Sequence, residues 1–186
     1  MKILAIVGMA GSGKSTLSQY FKNQGLPVLS FGDLIRAEIL KRGLQVTPLT
    51  EPIVREEIRN QYGMDACVQI SLPWIKANLV DKPFIVIDGV NSFSEYKSLK
   101  REFSDELTVI ALFTSKNIRY QRLASRLTRP FTREEAEARD YREIEKIEQG
   151  GTIAMADFML MNDGTKEELF EKIAALISQK ILLHRD

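Results

Sequence analysis

The chain has 186 residues, 44% hydrophobic and 27% charged, with a formal net charge of +1. That length suits one domain, and that composition supports a buried core and excludes a disordered chain. A near-neutral balance makes no global case for nucleic-acid or membrane binding, and the single cysteine, Cys67, excludes an internal disulfide and a paired-cysteine metal site.

The first apolar run, residues 3–7, is far too short to span a membrane, so a cytoplasmic protein is expected. It predicts a strand over 2–7 that runs straight into GMAGSGKST, residues 8–16. Gly8, Gly13, Lys14 and Ser15 fit the pattern G-x-x-x-x-G-K-[ST] between a strand and a helix. Glycines let the backbone curl until successive N–H groups point inward at phosphate oxygens. Gly8, Gly11, Ser12, Gly13, Lys14, Ser15 and Thr16 are therefore expected to bind the phosphates of ATP. The helix opening near Lys14 adds free amides and its dipole. Lys14 is expected to bridge the terminal phosphates as a catalytic cation, and Ser15 to give one oxygen to Mg²⁺.

A second strand is predicted over 27–31, after a helix stop at Gly25. Gly32 and Asp33 break that strand and open a helix, with Arg36 one turn inside. There the guanidinium sits near the strand C-termini, where ligands bind α/β sheets, and suits a second phosphate. Residues 43–80 lack a core strand and read as an insertion, with Gly43 and Gly63 as helix stops. The run FIVIDG predicts a third strand over 84–88, whose terminal Asp88 is expected to hold Mg²⁺ as a Walker B carboxylate does. Ser92 with Glu95 then fits a capping box.

After a fourth predicted strand over 107–113, Arg119, Arg122, Arg126 and Arg129 share one helical stripe, with Leu123 and Leu127 anchoring its neighbour. Like charges on one stripe repel, and bound phosphates would relieve that repulsion. Residues 128–151 again lack a strand and read as a hinged lid. Such a lid brings positive charge over the migrating phosphoryl group once water is excluded. Arg122 and Arg126 are the expected catalytic cations, whereas Arg133 and Arg139 have neighbouring glutamates and read as structural. Thr132 with Glu135 and Thr165 with Glu168 fit further capping boxes. A fifth strand is predicted over 157–161, with its FMLM run, Trp74 and Phe93 assigned to the core and His184 to the surface.

Strands alternating with amphipathic helices imply a parallel sheet with right-handed crossovers. A phosphate loop on such a sheet leaves three classes open: a small-molecule kinase, a GTPase or motor-like switch, and a non-catalytic nucleotide sensor. The stretch MNDGTKEE lacks the guanine-reading N-K-x-D, and the two arginine groups favour a kinase. No residue stands out as a general base, which suits a phosphate acceptor. A hydroxyl acceptor would want a carboxylate, which Asp33 could supply.

In order along the chain, GMAGSGKS, SFGDLIR, VIDGVNSFSEY, RYQRLASR and MADFMLMNDGTKEEL resemble nucleoside monophosphate kinases and dephospho-coenzyme A kinases. The likeness is greatest to the archaeal adenylate-kinase-related group of P-loop proteins. It implies a doubly wound α/β fold with five parallel strands in the order 2-3-1-4-5. It also implies an ATP- and Mg²⁺-dependent enzyme whose small-molecule acceptor, AMP first, lies under the 43–80 insertion. By position, Gly32, Asp33, Arg36, Arg55 and Gly89 would bind that acceptor. Asn162 and Gly164 would lie in the loop that packs on the nucleotide base. The group carries arginine where this chain has Asn91, which implies weaker acceptor binding at that point.

Overall fold

A computed structural model describes residues 2–47, 49–80, 82–128 and 130–181 of the chain. Arg129 and His184 lie outside these residues. The first half forms β1 (Ile3–Val7), α1 (Lys14–Asn23), β2 (Val28–Ser30), α2 (Phe31–Lys41), α3 (Thr50–Tyr62), α4 (Ala66–Asn78) and β3 (Ile85–Asp88). There follow α5 (Phe93–Phe103), β4 (Leu107–Phe113), α6 (Lys116–Ala124), α7 (Arg133–Glu145), α8 (Gln149–Ala154), β5 (Phe158–Met161) and α9 (Lys166–Leu176).

The five strands are parallel and ordered β2-β3-β1-β4-β5, the doubly wound arrangement expected. All five residues of β1 are fully buried, because helices cover both faces of the central strand. One face packs Leu4, Ile6, Val86 and Ile110 against Leu17 and Phe21 of α1 and Leu169 and Ile173 of α9. The other packs Ala5, Val7, Ile85 and Ile87 against Ile35 and Ile39 of α2, Val54 and Ile58 of α3, Ile75 of α4 and Leu99 of α5. Each such valine, leucine, isoleucine or phenylalanine side chain contributes about 1.5–3 kcal/mol on full burial.

Register decides what reaches the site. Asp88 pairs with both Ile6 and Ser30, so β1, β2 and β3 all end at one level. The loop after β1, the start of α2 and the turn after β3 therefore converge at the C-terminal edge, beside the central strand. Ser92 and Glu95 form the expected capping box, as do Thr132 and Glu135. Thr165 caps α9 by accepting the Glu168 amide hydrogen.

Two expectations need correction. Helix α6 ends at Ala124, so Arg126 lies beyond it, off the stripe shared by Arg119 and Arg122. Leu127 is fully exposed and anchors nothing. The FMLM strand is only half core: Phe158 and Leu160 pack on the α9 side, while Met159 and Met161 are 54% and 49% exposed. The reason is position, because β5 is an edge strand and its run of apolar residues does not require two covered faces.

Candidate functional site

The loop between β1 and α1 is shaped by backbone that only glycine adopts freely. Gly8 has φ +143° and Gly11 φ +81°, and a Cβ would come within 2.6 Å of the Leu112 carbonyl oxygen at the first and 2.7 Å of the Arg119 carbonyl oxygen at the second. The turn is then tied down from outside. The Ser12 carbonyl accepts from Asn162 Nδ2 at 2.7 Å and from Thr114 Oγ1 at 3.2 Å. The N-cap of α1 is Gly13, and no side chain caps the helix, so its first amides stay available to an anion.

Lys14 bends back over this loop and donates to the carbonyls of Gly8 and Met9, the latter at 3.1 Å. Burial pulls its pKa below the ordinary lysine range, while Glu143 and Asp88 work against that pull. Ser15 is exposed in the first turn of α1, and Thr16 is half-buried. Asp88 is 8% exposed, and burial holds its carboxyl above the usual range despite Lys14 and Ser18. A hydroxyl and a carboxylate are oxygen donors of the kind that fits Mg²⁺, which keeps waters and phosphate oxygens in its shell.

Beyond Asp88 the floor is formed by Gly89 and Gly32. A Cβ on Gly89, φ +87°, would lie 4.0 Å from the Gly32 amide nitrogen. Arg36 pairs with Asp33, and its guanidinium lies over Gly32. Asn91 and Ser92 donate their amides to the buried Glu95 carboxylate, each at 2.9 Å, with Arg59 of α3 at 3.8 Å. Arg55, also on α3, is pressed below its ordinary pKa by burial and by Arg59 and Arg139. The structure thus brings Gly32, Asp33, Arg36 and Gly89 to one patch, with Arg55 coupled to Arg139 of α7.

Arg122 donates to the carbonyls of Asn162 and Gly164, at 2.9 and 3.0 Å. It therefore belongs with the loop after β5. Arg126 reaches Lys14 electrostatically from beyond the end of α6. Arg139 is no bystander. It holds Glu143 at 2.8 Å and acts on Lys14 and Arg55, because α7 turns polar residues inward. The buried face of that helix is Ala136, Asp140 and Glu143.

Three features escaped sequence reading. Arg119 is fully engaged: it makes two bonds to Asp140, at 3.0 and 2.7 Å, and one to the Ala10 carbonyl at 3.0 Å. Gln149, completely buried, donates to the Gly8 carbonyl at 2.9 Å and to Asn91 Oδ1 at 3.2 Å. Glu143 is buried beside Lys14 with one carboxylate oxygen unbonded among the described residues. An Arg–Glu pair four apart reads as a solvated helix surface. Only the missing apolar stripe on 133–145 hinted otherwise.

Comparison with known proteins gives a family and a fold. A profile of the AAA_17 family, described as an AAA domain, matches residues 7–148. A UPF0200 protein of Thermococcus gammatolerans is 37% identical over 182 residues, covering 96% of this chain and 95% of its own length. Among solved structures, TT1252 from Thermus thermophilus superimposes with a TM-score of 0.64 at 18% identity, over 96% of this chain and 97% of that one. Shikimate kinase from Aquifex aeolicus does so with a TM-score of 0.59 at 16% identity, over 97% and 98%. At such identities the structural likeness carries the fold alone. With a profile match over residues 7–148 and a relative 37% identical across 96% of the chain, the chain belongs to the AAA_17 family of AAA domains and to the UPF0200 proteins.

Proposed function

We propose that the chain is an ATP- and Mg²⁺-dependent phosphotransferase acting on a small phosphorylated acceptor. The observation that carries this reading is the uncapped start of α1, with Lys14 and Asp88 beside it and the Gly32–Gly89 floor next to Asp88. The loop amides and Lys14 would hold the triphosphate, and Ser15 with Asp88 would hold the metal. When bound, Mg²⁺ neutralises charge building on the phosphate oxygens. Arg126 and Arg139 act on Lys14 electrostatically and would bring positive charge to the transferring group. Arg122, with Asn162 and Gly164, would shape the wall for the base. Arg36 and Arg55 would grip the acceptor phosphate, with segment 43–80 as acceptor cover and segment 128–151 as lid.

Transfer needs little covalent help from the protein and depends on positioning and charge. Two experiments test the reading. Lys14→Ala is expected to remove most ATP affinity in a calorimetric titration while leaving the fold intact, and unchanged affinity would sink the site. Label from γ-labelled ATP is expected to reach a phosphorylated acceptor in a screen of AMP, other nucleoside monophosphates and dephospho-coenzyme A. Slow hydrolysis with no transfer would favour a nucleotide sensor or switch.

A further inference from the structure

Among the described residues, few buried side-chain polar atoms lack a hydrogen-bond partner, and one of them is Glu143 Oε2. Its residue is 8% exposed. The other oxygen, Oε1, accepts from Arg139 Nε at 2.8 Å. Lys14 of the phosphate loop and Arg55 of α3 act on the same carboxylate from the other elements around it. We propose that Glu143 accepts the proton of an acceptor hydroxyl, so that the phosphoryl acceptor is a phosphorylated alcohol attacked at its oxygen–hydrogen group rather than at its phosphate. This rests on the phosphotransfer reading above.

Donors and charges decide what Glu143 can meet. A buried carboxylate oxygen can only accept, and it needs a donor when the site is filled. The triphosphate and an acceptor phosphate offer oxygens of the same sign at neutral pH and would be repelled. An acceptor hydroxyl offers a proton. Burial by itself would raise the Glu143 pKa, but Arg139, Lys14 and Arg55 together hold the group below the usual carboxylate range, so it is ionised when needed. The competing carboxylates are occupied: Asp33 is paired with Arg36, and Asp88 sits at the metal position. Arginines at Arg36 and Arg55 match the anionic part of such an acceptor.

The step balances simply. The hydroxyl oxygen forms a bond to the γ-phosphorus as the bond from that phosphorus to the bridging β-oxygen breaks. ADP leaves with the electron pair, and the hydroxyl proton passes to Glu143 Oε2 and then to water. In a loose transition state this transfer comes late, so a strong base is not required.

The test uses the full chain with γ-labelled ATP, Mg²⁺ and a panel of AMP, dephospho-coenzyme A and glycerol 3-phosphate. Label is expected in an acid-stable phosphate monoester. Glu143→Gln is expected to lower transfer by about 100-fold or more, with ATP affinity unchanged or tighter, and Glu143→Asp to recover part of it. Label in an acid-labile anhydride overturns the proposal while leaving phosphotransfer standing. Wild-type transfer by Glu143→Gln overturns it in favour of a carboxylate that only balances the cations. Equal loss of ATP binding in both variants overturns it in favour of a structural ion pair. Transfer to no member of the panel overturns the phosphotransfer reading and this inference with it.

Discussion

Asp88 and Lys14 share one difficulty, since burial disfavours the charged form of each and each is a partial remedy for the other. For Asp88 burial wins, and its folded pKa lies above its unfolded one. Between those two values the folded state keeps a proton that the unfolded chain has lost. Stability therefore falls as pH rises through that window, and at neutral pH the Asp88 charge is a net burden. Asp88→Asn is expected to melt higher than the parent at pH 7 without nucleotide, with the gap closing as pH is lowered toward the carboxylate range. The same variant should lose the Mg²⁺ dependence of ATP binding; calorimetry at both pH values checks both halves. Cys67 makes a sharper case. Burial, with Glu95 adding to it, pushes its thiol up to about 12. Alkylating reagent at pH 8 is expected to leave it untouched in the native protein and to label it fully in denaturant, as read by mass spectrometry. Lys14 and Asp88 were legible because glycines, lysine and a strand-end carboxylate carry their chemistry in local spacing. Glu143 and Gln149 were not, since what marks them is an unbonded or bonded atom in a place that only the folded chain defines.

Helices α6 and α7 are joined by a contact that no local pattern announces. Arg119 and Asp140 are 7% and 8% exposed, the Tyr120 hydroxyl donates to the same carboxylate at 3.1 Å, and Arg119 also holds the Ala10 carbonyl of the phosphate loop. Removing one partner of such a pair strands a buried charge. Asp140→Ala is therefore expected to cost about 3–5 kcal/mol, read as a lower urea midpoint, and to weaken ATP binding through the loop. Replacing Arg122 with alanine should act differently. It frees the Asn162 and Gly164 carbonyls at the edge of the site, so ATP affinity and turnover should fall together by about 10-fold, measured by titration and transfer assay. Helix starts were readable at this scale, because Ser92 and Thr132 sit three residues before glutamates. The end of α6 at Ala124 was not. No glycine or proline marks it, and the arginine repeat runs on past it although like charges four apart oppose helix. The exposed face of β5 was hidden for a related reason: an apolar tetrad looks the same on an edge as in the middle of a sheet.

At the level of the whole molecule, the sheet class followed from alternation of strands and helices, but the order β2-β3-β1-β4-β5 came from resemblance, since spacing alone does not rank neighbours. A ligand that binds only the folded state stabilises all of it. Mg²⁺·ATP at a hundred times its Kd should contribute about 2.7 kcal/mol, or a Tm rise of about 5–10 °C for a chain of this size. Lys14→Ala should abolish that rise in a thermal-shift measurement. The central place of β1 has a consequence on the ribosome. Ile3–Val7 is made before its hydrogen-bonding neighbours, Ile85–Asp88 and Leu107–Phe113. At about 5–20 residues per second, roughly 80 residues of further synthesis leave this wholly apolar strand without either edge partner for about 4–16 s. Arrested nascent chains that stop before β3 should be cut readily by protease near their N-terminus, whereas chains extended past β4 should protect it. During those seconds the segment destined for the most protected spot in the protein is the one most open to a chaperone, or to another chain.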